Sequence, residues 1–173
     1  MDFLELVSSR QSVRGFDAER QVEREKLERI VEVARLAPSA CNAQPWSFVI
    51  VDEPELKNKI ADATSSRVLG MNHFTKQAPV HLLLVEEKVN LSSGIGGWIK
   101  KKDYAQLDLG IVAAHIVLAA QAEGLGTCIV GWFDENKVRS LLQIPPSKRV
   151  WLDIVIGYSN QSLRKKPRKP IDA

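Results

Sequence analysis

The apolar residues of this chain recur at two spacings, and the changes between them mark out the elements. Phe3, Leu4 and Val7 predict a short helix over 2–9. Leu27, Ile30, Val31, Ala34 and Ala37 make one apolar face of a helix over 24–37, which Pro38 stops. The run Trp46–Val51 is β-rich and predicts a strand, followed by a helix over 53–63 with Pro54 in its first turn. Val80–Val85, after Pro79, reads as a buried strand. Ser and Gly content makes 90–102 a loop, and a long helix over 103–123 ends at Gly124. A short strand over 127–130, a helix over 134–142 capped by Asp134, and a last strand over 150–156 complete the order.

The long helix carries further information. From Leu109 to Ala120 every residue except Gly110 and His115 is apolar, so the apolar surface runs around the helix instead of forming one stripe. The run is too short to span a bilayer. A small domain has difficulty enclosing such a helix alone. The expectation is an α+β or α/β domain over 1–173 whose long helix packs partly in a homodimer.

Composition narrows the class. With 173 residues and 45% hydrophobic content, the chain is neither disordered nor dependent on disulfides to fold. Its start, Met1-Asp2-Phe3-Leu4-Glu5, lacks the basic-then-apolar order of a secretory signal. Cys41 and Cys128 lie 87 positions apart and suit a reduced, cytoplasmic protein. The net charge is +3, but Arg164, Lys165, Lys166, Arg168 and Lys169 against Asp172 place +4 in residues 161–173, leaving −1 for residues 1–160. The protein is a near-neutral domain with a basic C-terminal tail.

Four segments could carry chemistry. In an extended 9–16 segment, Arg10, Ser12 and Arg14 share a face and would suit a phosphate; a solvated loop is the alternative. Between Pro38 and Pro45, the polar Ser39, Asn42 and Gln44 suit a flat edge of mixed donors and acceptors, although capping and turn formation use the same residues. Cys41 has no activating His or charge nearby in sequence and reads as a bystander. Gly124, Gly126 and Gly131 bare the backbone around a short strand, as a planar ligand or an ordinary helix cap would require. The tail, with Pro167 and Pro170, could deliver charge to a phosphate, stay solvated, or act as a nucleic-acid arm. There is no zinc spacing and no HExxH, GxSxG or Walker A pattern, and His73, His81 and His115 are dispersed. Any redox or transfer chemistry would come from a bound organic cofactor.

Taken in order, these segments resemble the nitroreductase family of FMN-dependent oxidoreductases over nearly the whole chain. The resemblance rests on Arg-x-Ser-x-Arg after the first helix, Ala-Pro-Ser-x-x-Asn-x-Gln-Pro-Trp, the apolar helix running into Gly-Leu-Gly-Thr-Cys, then Ile-Gly-Tyr and the basic tail. It implies an α+β fold with a mixed, mainly antiparallel sheet flanked by helices, and a homodimer with two FMN sites at its interface. It assigns Arg10, Ser12 and Arg14, with Gln11 beside them, to the FMN phosphate and ribityl end, joined by Lys166 and Arg168. Pro38, Ser39, Ala40 and Asn42 match the loop that the partner subunit lays against the flavin ring. Ile129, Val130 and Gly131 match the stretch whose backbone approaches the ring. Within 64–79 relatives often hold a ring-contacting Asn or Lys, and Asn72 has no fixed register there. Many relatives continue past the position of Ala173 into an arm. The 90–102 loop, with Trp98, is the expected cover over the substrate face.

The implied activity is hydride transfer from NADH or NADPH through flavin N5 to a nitroaromatic, quinone or similar flat acceptor, in the cytoplasm, with neither membrane nor nucleic acid as partner. No side chain is assigned as a catalytic acid or base, and no metal is expected. Flavin cleavage or reductive dehalogenation on the same fold is the alternative; a nucleic-acid module using the tail has only the charge run behind it.

Overall fold

The structure is a computed structural model and describes residues 2–66, 68–87 and 104–172. The expected 90–102 cover, with Trp98, lies outside the described residues. Strand β2 (Val80–Glu86) is buried at every position but the last. It pairs antiparallel with β1 (Trp46–Val51) on one side and β4 (Val150–Gly157) on the other. Strand β3 (Gly126–Val130) adds to β4, giving the order β1-β2-β4-β3. The continuous apolar run of β2 follows from this central place, because both of its faces meet helices.

Alternate residues supply the two faces. Leu82, Leu84, Ile154 and Ile156 pack with Leu27 and Ile30 of α2 (Arg24–Arg35) and with Val112 and Ile116 of α4 (Tyr104–Ala122). Val51, Leu83 and Val85 pack with Ile60 and Ala63 of α3 (Pro54–Thr64) and Val138 of α5 (Glu135–Leu141). Helix α1 (Phe3–Ser9) starts in a capping box: the Glu5 amide donates to Asp2 Oδ1 at 2.8 Å and the Asp2 amide to Glu5 Oε2 at 3.0 Å. None of its residues is buried. The result is the expected α+β fold. Its strand pairs are all antiparallel among the described residues, and the mixed character is confined to one parallel bridge, Ser12 to Thr127.

Two expectations change in detail, and two short turns are added. Helix α2 stops at Arg35, short of 37, because Pro38 pushes Ala37 out of helical geometry. The stretches 40–42 and 73–77 form single 3-10 turns. Helix α4 is 19 residues long with mean hydropathy 1.4, so length and composition alone would let it cross a membrane, contrary to the expectation from its apolar run; half of that window is buried against the rest of the fold.

Candidate functional site

The 9–16 segment leaves α1 extended and lies along the free edge of β3. The Val13 amide donates to the Thr127 carbonyl at 2.8 Å, so the segment covers an edge that would otherwise stay unpaired. The C-terminal tail returns along its other side, with the Asn160 amide donating to the Gly15 carbonyl at 3.2 Å. Between segment and tail opens a cleft of about 290 Å³. Arg10, Gln11, Ser12 and Arg14 form one wall; Arg164, Lys165, Lys166 and Arg168 form the other. The structure thus brings together all six expected phosphate-end residues.

Their side chains divide into two groups. Gln11 is buried, and its amide is committed to the tail: Nε2 donates to the Ser162 carbonyl and Oε1 accepts from the Arg164 amide, each at 3.0 Å. Lys166 Nζ donates to the carbonyls of Ser8 and Arg10, the latter at 2.7 Å, at the end of α1 where helix carbonyls lack partners. Desolvation first, then the neighbouring Arg10 and Arg168 cations, lowers the Lys166 pKa from its ordinary value. Arg168 Nη1 donates to the Pro167 carbonyl at 2.8 Å. The guanidinium groups of Arg10 and Arg14 form no ion pair with a described residue; that of Arg14 lies 5.9 Å from the centre of the Phe74 ring. Arg164, which the sequence reading left out of the site, donates to the Ser12 carbonyl at 2.6 Å and holds the two walls together.

Farther along β3, Ile129 is exposed while Cys128 and Val130 on either side are buried. Burial pushes the Cys128 thiol up, against the pull of Arg14 and Arg164. The three glycines of this region separate by function. Gly124 ends α4 with φ +76°, and a Cβ on Gly126 would stand 2.7 Å from Val13 Cγ2. A Cβ on Gly131 would meet nothing closer than 3.7 Å. Gly124 is open too, but its positive φ accounts for its glycine; Gly131, which is exposed, has an open main chain that neither a close contact nor a positive φ explains.

The Pro38–Asn42 loop is built differently. Cys41, Asn42 and Gln44 adopt φ of 52°, 52° and 47°, a left-handed region that L residues rarely occupy. The surroundings hold them there. Ser39 Oγ accepts from the Gln44 amide at 3.0 Å, and Gln44 Nε2 donates to Asn42 Oδ1 at 3.2 Å. The Ala40 amide donates to the carboxylate of Asp108 on α4. Gln44 is therefore a brace for the loop. Asp108 is a second residue that sequence reasoning missed, one position before the apolar run began.

Within one chain this loop and the cationic cleft are far apart. Asp108 marks the loop's level on α4, and Gln121 lines a shallow groove beside Ser9 and Gln11. Thirteen residues of helix separate the two levels, roughly 20 Å. Phe3, Leu4, Leu36 and Leu107 are more than half exposed. Phe3 lines a groove of about 500 Å³ together with Leu6, Val33, Ile111 and Leu118.

Comparison with known proteins bears on the family and the fold. The sequence profile described as "Nitroreductase family" matches residues 7–71 and 66–158. The chain is similar to the oxygen-insensitive NADPH nitroreductase of Helicobacter pylori J99, with 28% identity covering 95% of this chain and 91% of that protein. It is 26% identical to the iodotyrosine deiodinase of Drosophila melanogaster over 89% of this chain and 61% of that one. Among solved structures, a nitroreductase family protein from Streptococcus pneumoniae TIGR4 superposes with a TM-score of 0.82 at 26% identity, covering 99% and 97% of the two chains. An FMN-dependent nitroreductase from Clostridium difficile R20291 gives 0.75 at 27% identity, covering 99% and 94%. With most of its length matched by the family profile and its fold shared with these structures, the chain belongs to the nitroreductase family.

Proposed function

We propose that the protein is an FMN-dependent oxidoreductase that takes electrons from NAD(P)H and passes them to a nitroaromatic, quinone or similar flat acceptor. The observation that carries this reading is the cationic cleft. Arg10, Lys166 and Arg168 stand close enough for the two arginines to lower the lysine's pKa, and no described carboxylate pairs with Arg10 or Arg14. A phosphate dianion would relieve that crowding and accept charge-assisted hydrogen bonds from both arginines and Ser12. When bound, FMN supplies a ring that accepts hydride at N5 and gives the electrons up again.

The chain's own residues would do the rest. Arg10, Ser12 and Arg14 hold the phosphate. Arg164, Gln11 and Lys166 keep the tail against the cleft. The open main chain of Ile129–Gly131 lies alongside the ring. Pro38, Ser39, Ala40 and Asn42 are assigned to the ring of a partner subunit's site, as the family resemblance implies. The exposed apolar face of α1, α2 and α4 supplies the dimer contact, and each dimer carries two sites. The unpaired thiols Cys41 and Cys128 accord with a reducing, cytoplasmic setting.

The similarity to a deiodinase favours a second reading on the same site, reductive removal of halide from an aromatic amino acid. Halide release from an iodinated tyrosine would distinguish it. The primary reading is tested by titrating FMN with the purified protein and following flavin fluorescence. The expected result is saturation at one FMN per chain; a protein that takes up no FMN overturns the reading.

A further inference from the structure

Gly131 is held from both sides by one chain of contacts. Before it, Val130 pairs with Asp153 in the β3–β4 register. Asp153 Oδ2 lies 2.8 Å from His81 Nδ1, and both side chains are fully buried. His81 Nε2 faces the Thr75 carbonyl at 3.2 Å. The Thr75 hydroxyl donates to the Asn72 carbonyl at 2.8 Å, and Asn72 Nδ2 donates to the Trp132 carbonyl at 3.2 Å, one residue beyond Gly131. The second Asn72 amide hydrogen goes to the Thr64 carbonyl at the end of α3, at 3.0 Å. The path therefore starts at one neighbour of Gly131 and ends at the other.

Both ring nitrogens of His81 are engaged, Nδ1 with the Asp153 carboxyl and Nε2 with the Thr75 carbonyl. That makes a hydrogen-bonded polar pair in the interior of the sheet. Replacing both partners of such a pair by apolar groups of similar shape is close to neutral for stability. Here the arrangement carries a cost, since Asp153 Oδ1 is buried without a partner among the described residues. What the pair joins is the pair of strands and turns on either side of Gly131.

We propose that His81 and Asp153 are positioning residues, which through Thr75 and Asn72 fix the main chain of Gly131. The proposal rests on the reading of Ile129–Gly131 as the flavin-facing stretch. The Asn72 side chain, which sequence reasoning could not place, serves as the outer link of this path.

The test is the His81→Leu/Asp153→Leu double variant of the whole chain, which removes both polar side chains together. It is compared with wild type by thermal unfolding, amide hydrogen exchange over residues 129–134 and FMN affinity. The variant is expected to unfold at about the wild-type temperature, yet to exchange at 129–134 and release FMN each at least about tenfold more readily. A folded double variant with unchanged exchange there overturns the proposal, as does faster exchange with unchanged FMN affinity. If the double variant does not fold, Asn72→Ala, at a partly exposed position, gives the same reading of exchange: faster at 131–134 supports the path and unchanged overturns it. A wild-type protein that binds no FMN overturns the flavin reading, while exchange still decides whether the path holds Gly131.

Discussion

The Ala40 amide donates to the buried carboxylate of Asp108, 3.1 Å from each of its oxygens. This bond fixes the left-handed Cys41–Asn42 turn to the first turns of α4. Hydrogen bonds to charged groups contribute about 1.5–3 kcal/mol. Asp108→Leu is therefore expected to lower FMN affinity about tenfold or more by loosening the loop, and to lower the thermal midpoint. Asp108→Asn keeps an acceptor and is expected to lose less of both. Fluorescence titration and thermal unfolding of the two variants check this order.

The two groups of cleft residues predict two kinds of damage. Arg14→Ala and Arg10→Ala each remove a phosphate donor and leave the tail in place. Each is expected to lower FMN affinity by about tenfold or more, with little change in unfolding, since a charged hydrogen bond of about 1.5–3 kcal/mol is one to two decades. Lys166→Met and Arg164→Ala instead release the tail from α1 and from Ser12. In those variants limited proteolysis within 161–172 is expected to speed up along with the loss of FMN. Equal proteolysis in all four would show that the tail is not held by these bonds.

Lys166 also sets a pH dependence. Its pKa is lowered below the ordinary 10.5 by desolvation, Arg10 and Arg168. A bound phosphate favours the charged ammonium, so binding takes up a proton. FMN affinity is then expected to fall as pH rises through the lowered lysine value, starting below 10.5. It is also expected to fall below about pH 6, where a phosphate monoester loses its second charge. In Lys166→Met the alkaline fall should be weakened and the acid fall retained. Isothermal titration across the range, in buffers of different ionisation enthalpy, measures both the affinity and the proton uptake.

Assignment of the loop to the partner subunit's site predicts subunit complementation. Ile111→Asp is expected to disrupt the apolar face of α4 and to yield monomers that bind FMN poorly, as sedimentation and titration would show. Mixing Arg14→Ala subunits with Asp108→Leu subunits places both lesions at one site of a heterodimer and leaves the other intact. The mixture is expected to recover up to half of the wild-type FMN binding in heterodimers; no recovery would mean that loop and cleft serve the same chain.

Much of the fold was legible because its signals are local. Periodicity and capping signals marked the five α-helices and four strands of the described residues, and the apolar circumference of α4 pointed to cover on several sides. The extended register of Arg10, Ser12 and Arg14 likewise led to one wall of the observed cleft. What stayed hidden depends on contacts across the chain. The family resemblance assigns Gln11 and Lys166 as ligands, but their partners, Ser162 and the α1 carbonyls, lie more than 150 positions away. Asp108 looked like an ordinary polar residue at a helix start until the Ala40 amide came to meet it. Gly126 read as bare backbone for a ligand, whereas Val13 fills that space. Pairing of His81 with Asp153 joins two strands that sequence alone does not align.

The central claim is that this chain binds FMN and carries electrons from NAD(P)H through it. An anaerobic absorbance titration of the FMN-loaded protein with NADH and with NADPH tests that most directly. The account predicts protein-bound flavin bands that bleach with at least one of the two donors and return when a quinone or nitroaromatic is added. A protein that stays colourless after FMN addition, or bound flavin that neither donor reduces, would contradict it.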